Sequence, residues 1–178
     1  ATRCVTDTAQ MRRDVKFAAD HFVTGIWTTD KDGGVDFTQW SDYGSSTPDV
    51  DVDTYKDAVE ALTGVEPNKM ALGKQAHIQL KNHPTLIDRI KYTQRAQLTP
   101  DLIASLLELD SYLVGRSIYT TTVEGTAEGS VTYTRIWGKN ALLVYVPPTA
   151  SLLTPAAGYT FVWQLVPNAL QYIKRMRD

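Results

Sequence analysis

The stretch Gly64-Val65-Glu66-Pro67-Asn68-Lys69-Met70-Ala71-Leu72-Gly73-Lys74-Gln75-Ala76-His77-Ile78-Gln79-Leu80-Lys81-Asn82-His83-Pro84 decides how this chain folds. Gly64 ends a helix, because glycine accepts the left-handed conformation that closes one. Pro67-Asn68 reads as a turn, Lys69–Leu72 as a short apolar strand, and Gly73 as its break. A second helix then runs from Lys74 to Asn82. Pro84 closes it, since proline lacks a backbone donor and disfavours helix at the residue before it. The stretch is a helix–strand–helix joint between two halves.

Upstream, Thr47-Pro48-Asp49 is a helix start: a hydroxyl at the N-cap, proline in the first turn, and carboxylates facing the positive end of the helix. Val52, Tyr55, Val59 and Leu62 make one apolar stripe up to Thr63. Asp49, Asp51, Asp53, Tyr55, Asp57 and Glu60 also match the ligand positions of a calcium loop. However, Thr54 stands where that loop needs glycine, Lys56 stands where it is apolar, and the helical stripe runs straight through. Before this helix, Thr8–Phe22 reads as another, with Met11, Val15, Ala18 and Phe22 on one face and Gly25 as its stop. The Arg12-Arg13 pair on it reads as a solvated face. Asp30–Gly34 and Gly44–Pro48 are loops by composition, and Trp27 and Trp40 read as core anchors.

Downstream, Pro84–Tyr92 reads as a short helix with Leu86, Ile87 and Ile90 inward. Gln94–Gln97 is a polar loop. Thr99-Pro100-Asp101 repeats the helix-start signal ahead of Leu102, Ile103, Leu106 and Leu107. From Tyr112 the period changes to two. Leu113–Val123 is expected as a strand, Glu124–Ser130 as a loop, and Val131–Trp137 as alternating. Gly138–Asn140 is a turn. Ala141–Val146 is expected as a central strand buried on both faces, and Tyr159–Leu165 as the last strand. The fold class is α+β.

The chain has 178 residues, 43% of them hydrophobic, and a net charge of −2. That balance argues against a dedicated nucleic-acid binder or a polybasic membrane-surface protein. No apolar run approaches the roughly 20 residues of a membrane-spanning helix. Cys4, the single cysteine, cannot form an internal disulfide, which favours a reducing compartment. Ala1 and the Lys174–Asp178 tail carry no start or closing pattern, and the expectation is a segment of a longer protein. A catalytic site is not signalled. There is no Gly-x-Ser-x-Gly elbow, His21, His77 and His83 have no local signature, and His77 and His83 read as ordinary polar residues rather than ligands. Asn68 and Gln75 break a phosphate-loop pattern around Gly73-Lys74.

The order of several blocks resembles the major capsid proteins of tailed bacteriophages, which have the Hong Kong 97-type fold. The blocks are Asp20–Trp27 (DHFVTGIW), Phe37–Asp42 (FTQWSD), Thr47-Pro48, Thr63–Gly73 (TGVEPNKMALG), Leu80–Pro84 (LKNHP), Asp88–Tyr92 (DRIKY) and Ile136–Leu143 (IWGKNALL). The resemblance implies a peripheral lobe, residues 1–66 and 159–178, built on a spine helix from Pro48 to Thr63. It also implies an axial lobe, residues 67–158. Function would be structural and non-enzymatic: a shell subunit that assembles into hexamers and pentamers around double-stranded DNA. No cofactor, metal or catalytic residue is implied. The implied partners are other copies of the chain, scaffold, protease and portal proteins, and DNA held without sequence specificity. No membrane is involved, and the location is a virion assembled in the host bacterial cytoplasm. Arg89, Lys91, Arg95 and Gln97 are the expected subunit-interface residues, with Glu124 and Glu128 as opposite-charge partners. The arm and hairpin that clasp neighbours in this family are expected to be missing. Two alternatives stand beside this one. A nanocompartment shell protein would share the fold, and a small α+β enzyme or ligand-binding domain would show a deep pocket lined by His77 or His83.

Overall fold

The computed structural model describes residues 2–27, 29–91, 98–149, 151 and 154–159. Its elements are α1 (Thr2–His21), α2 (Pro48–Thr63), β1 (Lys69–Gly73), α3 (Lys74–Lys81), α4 (Pro84–Ile90), α5 (Pro100–Leu106), β2 (Ser111–Gly115), β3 (Ile118–Thr120), β4 (Tyr133–Arg135) and β5 (Ala141–Val144). The α+β class is as the sequence implies.

The joint forms as read. Gly64 adopts φ 72° and donates its N–H to Glu60, closing α2. Gly73 ends β1 and α3 starts at once. Pro84 opens α4, and His83 caps it by accepting the Thr85 N–H. The Thr99 hydroxyl likewise accepts from Leu102 at the start of α5. Thr47 departs from expectation. It precedes α2 at φ −133°, ψ 74° and makes no side-chain cap, because that ψ is well short of the extended capping geometry. The first turn of α2 is served instead by Pro48, which has no N–H to satisfy, and by Asp49 and Asp51.

The main sheet has the order β2-β1-β5. β1 pairs parallel with β2, Met70 opposite Tyr112 and Leu72 opposite Val114. It pairs antiparallel with β5, Lys69 opposite Val144. The expected central strand is therefore corrected. Among the described strands, the run from Ala141 takes an outer position and ends at Val144, and its residues are half-buried or exposed. An apolar run cannot say which strands flank it; β1, with Met70 and Leu72 buried, takes the centre. The single strand expected over Leu113–Val123 is also corrected. It divides after Gly115, where Trp137 crowds the chain, and β3 pairs instead with β4 in a separate two-stranded ribbon. The alternating Val131–Trp137 run contributes only Tyr133–Arg135 to it.

The core is built where α3, α4 and α5 cover β1 and β2. Leu72, Leu80, Leu86, Ile103 and Leu107 are fully buried, each worth about 1.5–3 kcal/mol relative to exposure. Two inward assignments fail. Ile87 is exposed, since the seven-residue α4 buries only the Leu86–Ile90 ridge, and Leu62 is exposed at the overhanging end of α2. Trp40 is half-buried against the core and Trp27 is half-buried beside α1, so neither is a fully buried anchor. α1 begins six residues earlier than the expected Thr8. It docks through Phe17 and Phe22, which pack on Trp137, while Met11 is exposed. The loop at Gln94–Gln97 and all of the expected last strand beyond Tyr159 lie outside the described residues.

Candidate functional site

Two backbone clamps hold the joint. At the start of β1, the Asn68 side chain donates to Asp110 (2.9 Å) and to the Val146 carbonyl (3.0 Å), and accepts the Val146 N–H (2.8 Å). It thereby ties the approach to β2 to the end of β5. At the far end, the Gly73 N–H donates to the Asn140 carbonyl (2.9 Å). A side chain at Gly73 would collide with the Gly138 carbonyl, so the turn after Trp137 can close on the sheet only over glycine.

Two ion pairs then fix α2 to the body. Lys56 is 5% exposed; its Nζ lies 2.6 Å from Glu66 and donates to the carbonyls of Leu107 (3.2 Å) and Glu108 (3.4 Å). Glu108 sits at φ 53°, the only non-glycine at positive φ among the described residues. Arg89 on α4 reaches Asp49 in the first turn of α2 at 2.6 Å. The other oxygen of Asp49 is buried without a hydrogen-bond partner among the described residues. Between these pairs lies an open cleft of about 260 Å³, its walls carrying the carboxylates of Asp53, Asp57, Glu60, Glu66 and Glu108.

The buried histidines are each held by hydrogen bonds. His83 Nε2 lies 2.8 Å from the Ser46 hydroxyl, which suggests a Ser–His pair on distance alone. On its other side, His83 Nδ1 lies 2.7 Å from the Thr85 hydroxyl and accepts the Thr85 N–H at 3.3 Å. Ser46 in turn donates to the Asp42 carbonyl (2.6 Å). With the serine proton on the Asp42 carbonyl, the hydroxyl has only acceptor capacity to offer His83 Nε2 in this arrangement. Burial holds His83 below the usual histidine range, opposed by Asp49 and Asp51. His77 is lowered by burial first and then by Lys74, Lys81 and Arg116. It shares a 3.0 Å hydrogen bond with the Tyr112 hydroxyl, which burial pushes up. Neither histidine lines the acidic cleft or the shallow 540 Å³ cleft at Gly34–Asp42. Among the described residues, no three His, Cys, Asp or Glu side chains gather as metal ligands. Asp49–Glu60, the stretch that mimics a calcium loop, is continuous helix.

Of the expected interface residues, Arg89 is half-exposed but engaged by Asp49, and Lys91 is exposed, 3.9 Å from Asp88. Glu124 and Glu128 are exposed between β3 and β4. Arg95 and Gln97 lie outside the described residues. Sequence reasoning missed the buried Lys56. It also missed Lys74 and Arg116, which directly follow the Gly73 and Gly115 ends of β1 and β2, Arg135 on β4 opposite Ile118, and Lys139 next to Gly138. The spacing from Val52 to Lys56 is the one signal that could have found the lysine.

No family model matches the chain. Over 110 residues it is 36% identical to the major capsid protein of Burkholderia phage BcepMu, a match that covers 59% of this chain and 34% of that protein. The chain thus spans about a third of that curated relative. A crystal structure of a phage-related protein from Bordetella bronchiseptica RB50 superposes with a TM-score of 0.72 at 26% identity, over 87% of this chain and 50% of that one. The resemblance carried by the sequence blocks is borne out: this chain is similar to a phage major capsid protein and shares its architecture with a phage-related protein of known structure.

Proposed function

We propose that this chain is the two-lobed centre of a phage capsid subunit with the Hong Kong 97-type fold. Its role is structural: copies assemble into hexamers and pentamers, and these into a closed shell around double-stranded DNA. The observation that carries this reading is the 36% identity to a phage major capsid protein. In this reading residues 1–66 and 159–178 form the peripheral lobe, with α2 as its spine, and residues 67–158 form the axial lobe. The continuous α2 and its capped exit at Gly64 support that division, as do the helices and strands that follow β1.

The partners are then other copies of the chain, with scaffold, protease and portal proteins taking part in assembly. Packaged DNA is held without sequence specificity, in keeping with the net charge of −2. Assembly takes place in the host cytoplasm and the product is the virion. Arg89, Lys91, Arg95, Gln97, Glu124 and Glu128 remain proposed contact residues. Weak contacts repeated under closed symmetry give such a shell its stability.

The test is expression of the full-length protein with its neighbouring genes, followed by size measurement and negative-stain microscopy. Closed shells or hexamer and pentamer rings are expected. A product that stays monomeric overturns the proposal.

A further inference from the structure

We propose that the β3–β4 ribbon and the cations beside it dock onto the acidic cleft along α2 of a second copy of this chain, in a head-to-tail contact. This inference rests on the shell-subunit reading and names the surfaces that reading requires.

Among the described residues the ribbon is a two-stranded sheet with no third strand. Its register sets Ile118 opposite Arg135 and Thr120 opposite Tyr133, so these residues share one face. All of them are exposed; Ile118 is 48% and Tyr133 64% accessible. An isolated two-stranded ribbon is marginal in water, and exposed apolar residues at both its ends, Ile118 and Tyr133, mark a surface fit to be covered.

Charge identifies the cover. Arg116 precedes β3, Arg135 lies on the face itself, and Lys139 and Lys74 flank the Gly73–Gly138 contact. None of these cations makes an ion pair among the described residues. On the α2 cleft, Lys56 and Arg89 are already used by Glu66 and Asp49. Asp53, Asp57, Glu60 and Glu108 line the cleft and make no ion pair among the described residues.

The two sets cannot meet within one molecule. β1 and β2 are parallel. Glu66 and Glu108 precede these strands, whereas Lys74 and Arg116 follow them. The acidic and basic surfaces therefore lie at opposite ends of the same two strands, a separation of roughly 17 Å along five residues. A contact between unlike ends repeats from copy to copy and closes into a ring when the rotation allows. The apolar Ile118 and the matching acidic end favour a protein partner over a phosphate backbone, which would use neither.

The test uses the full-length protein and three variants: Arg116→Glu with Arg135→Glu, Asp57→Lys with Glu60→Lys, and all four changes together. All four positions are exposed, and circular dichroism checks that each variant folds. Each one-sided reversal is expected to lower the assembled fraction about tenfold or more, because like charges then face each other, and the fourfold variant to recover to within about threefold of the parent. An equimolar mixture of the two one-sided variants is expected to assemble, since one then presents two acidic ends and the other two basic ends. One-sided variants that assemble as well as the parent overturn the inference and leave the shell reading standing. So does a failure of both the fourfold variant and the mixture to recover. Shells from the Arg116→Glu, Arg135→Glu protein that form normally but retain less DNA overturn it too, and assign the basic face to nucleic acid. A parent protein that never assembles overturns both.

Discussion

The indole of Trp137 fills the space that a side chain at Gly115 would need: a Cβ there would stand 2.6 Å from the indole Cγ. The same indole receives Phe17 and Phe22 on its other contacts. One ring thus joins α1, the end of β2 and the turn before β5. Gly115→Ala is expected to push the ring aside and cost about 1–3 kcal/mol, as overpacking does. Urea unfolding would show a lowered midpoint, and tryptophan fluorescence a shifted maximum. An unchanged midpoint would mean that Trp137 moves without loss.

Lys56 is buried but its partner Glu66 is half-exposed, so the two ends of this pair are not equivalent. Lys56→Ala removes a packed stem and leaves the Leu107 and Glu108 carbonyls without their donor; a cost of about 2–4 kcal/mol is expected. Lys56→Met keeps the stem and is expected to cost less than half of that. Glu66→Gln, which keeps an acceptor in water's reach, is expected to cost about 1–2 kcal/mol. Chemical denaturation of the three variants gives the order directly. Equal losses for Ala and Met would show that packing of the stem contributes little.

Thr47 and Thr99 stand at the same place in the same motif, yet only Thr99 caps its helix through its side chain. Thr99→Ala is therefore expected to cost about 1 kcal/mol and Thr47→Ala under about 0.5. Thermal melts of the pair would separate them, and a larger loss at Thr47 would contradict the observed cap geometry.

The joint and both Thr-Pro-Asp starts were legible because proline, glycine and cap residues act through their own backbone. The expected strand Lys69–Leu72 and helix Lys74–Asn82 match β1 and α3 to within a residue at their ends. What failed needed knowledge of neighbours. Ala141–Val146 is apolar whichever strands flank it, so its rank at the edge could not be read. Lys56 lies one turn from Val52 on the buried stripe, but a lysine gives no sequence signal of burial. Arg89 is expected at a subunit interface, and nothing local announces its partner Asp49. The cations around Gly73 and Gly115 become one surface only once β1 and β2 are known to be parallel and β3 is known to pair with β4.

His77 and His83 make stability depend on pH, and the sign follows from the direction of their shifts. Both have folded pKa values below the unfolded value of 6.5. The unfolded chain therefore binds more protons as the medium acidifies. Their contribution is complete above the unfolded pKa and is lost as pH falls through the lower folded values. Protonation at His83 Nδ1 also removes the acceptor that caps α4. Stability is expected to be flat above about pH 7.5 and to drop below about pH 6.5, with a limiting slope near 1.4 kcal/mol per pH unit for each histidine. Urea midpoints between pH 8 and pH 5 test this, and His83→Gln should flatten part of the slope. A midpoint constant to pH 5 would show that neither ring resists protonation.

The strand order β2-β1-β5 also sets a timetable for synthesis. The ribosome delivers β1 early, β2 after three helices, and β5 last of the described strands. Helices α3, α4 and α5 can form from local contacts as they emerge, but the second edge of β1 stays open until Lys69 meets Val144. During that interval the nascent chain carries an unpaired strand that could template wrong pairings. The ribbon between Ile118 and Arg135 is made before this edge closes. The exposed face of the ribbon is thus complete while the main sheet is still unfinished, and closure at β5 is the last pairing step among the described strands.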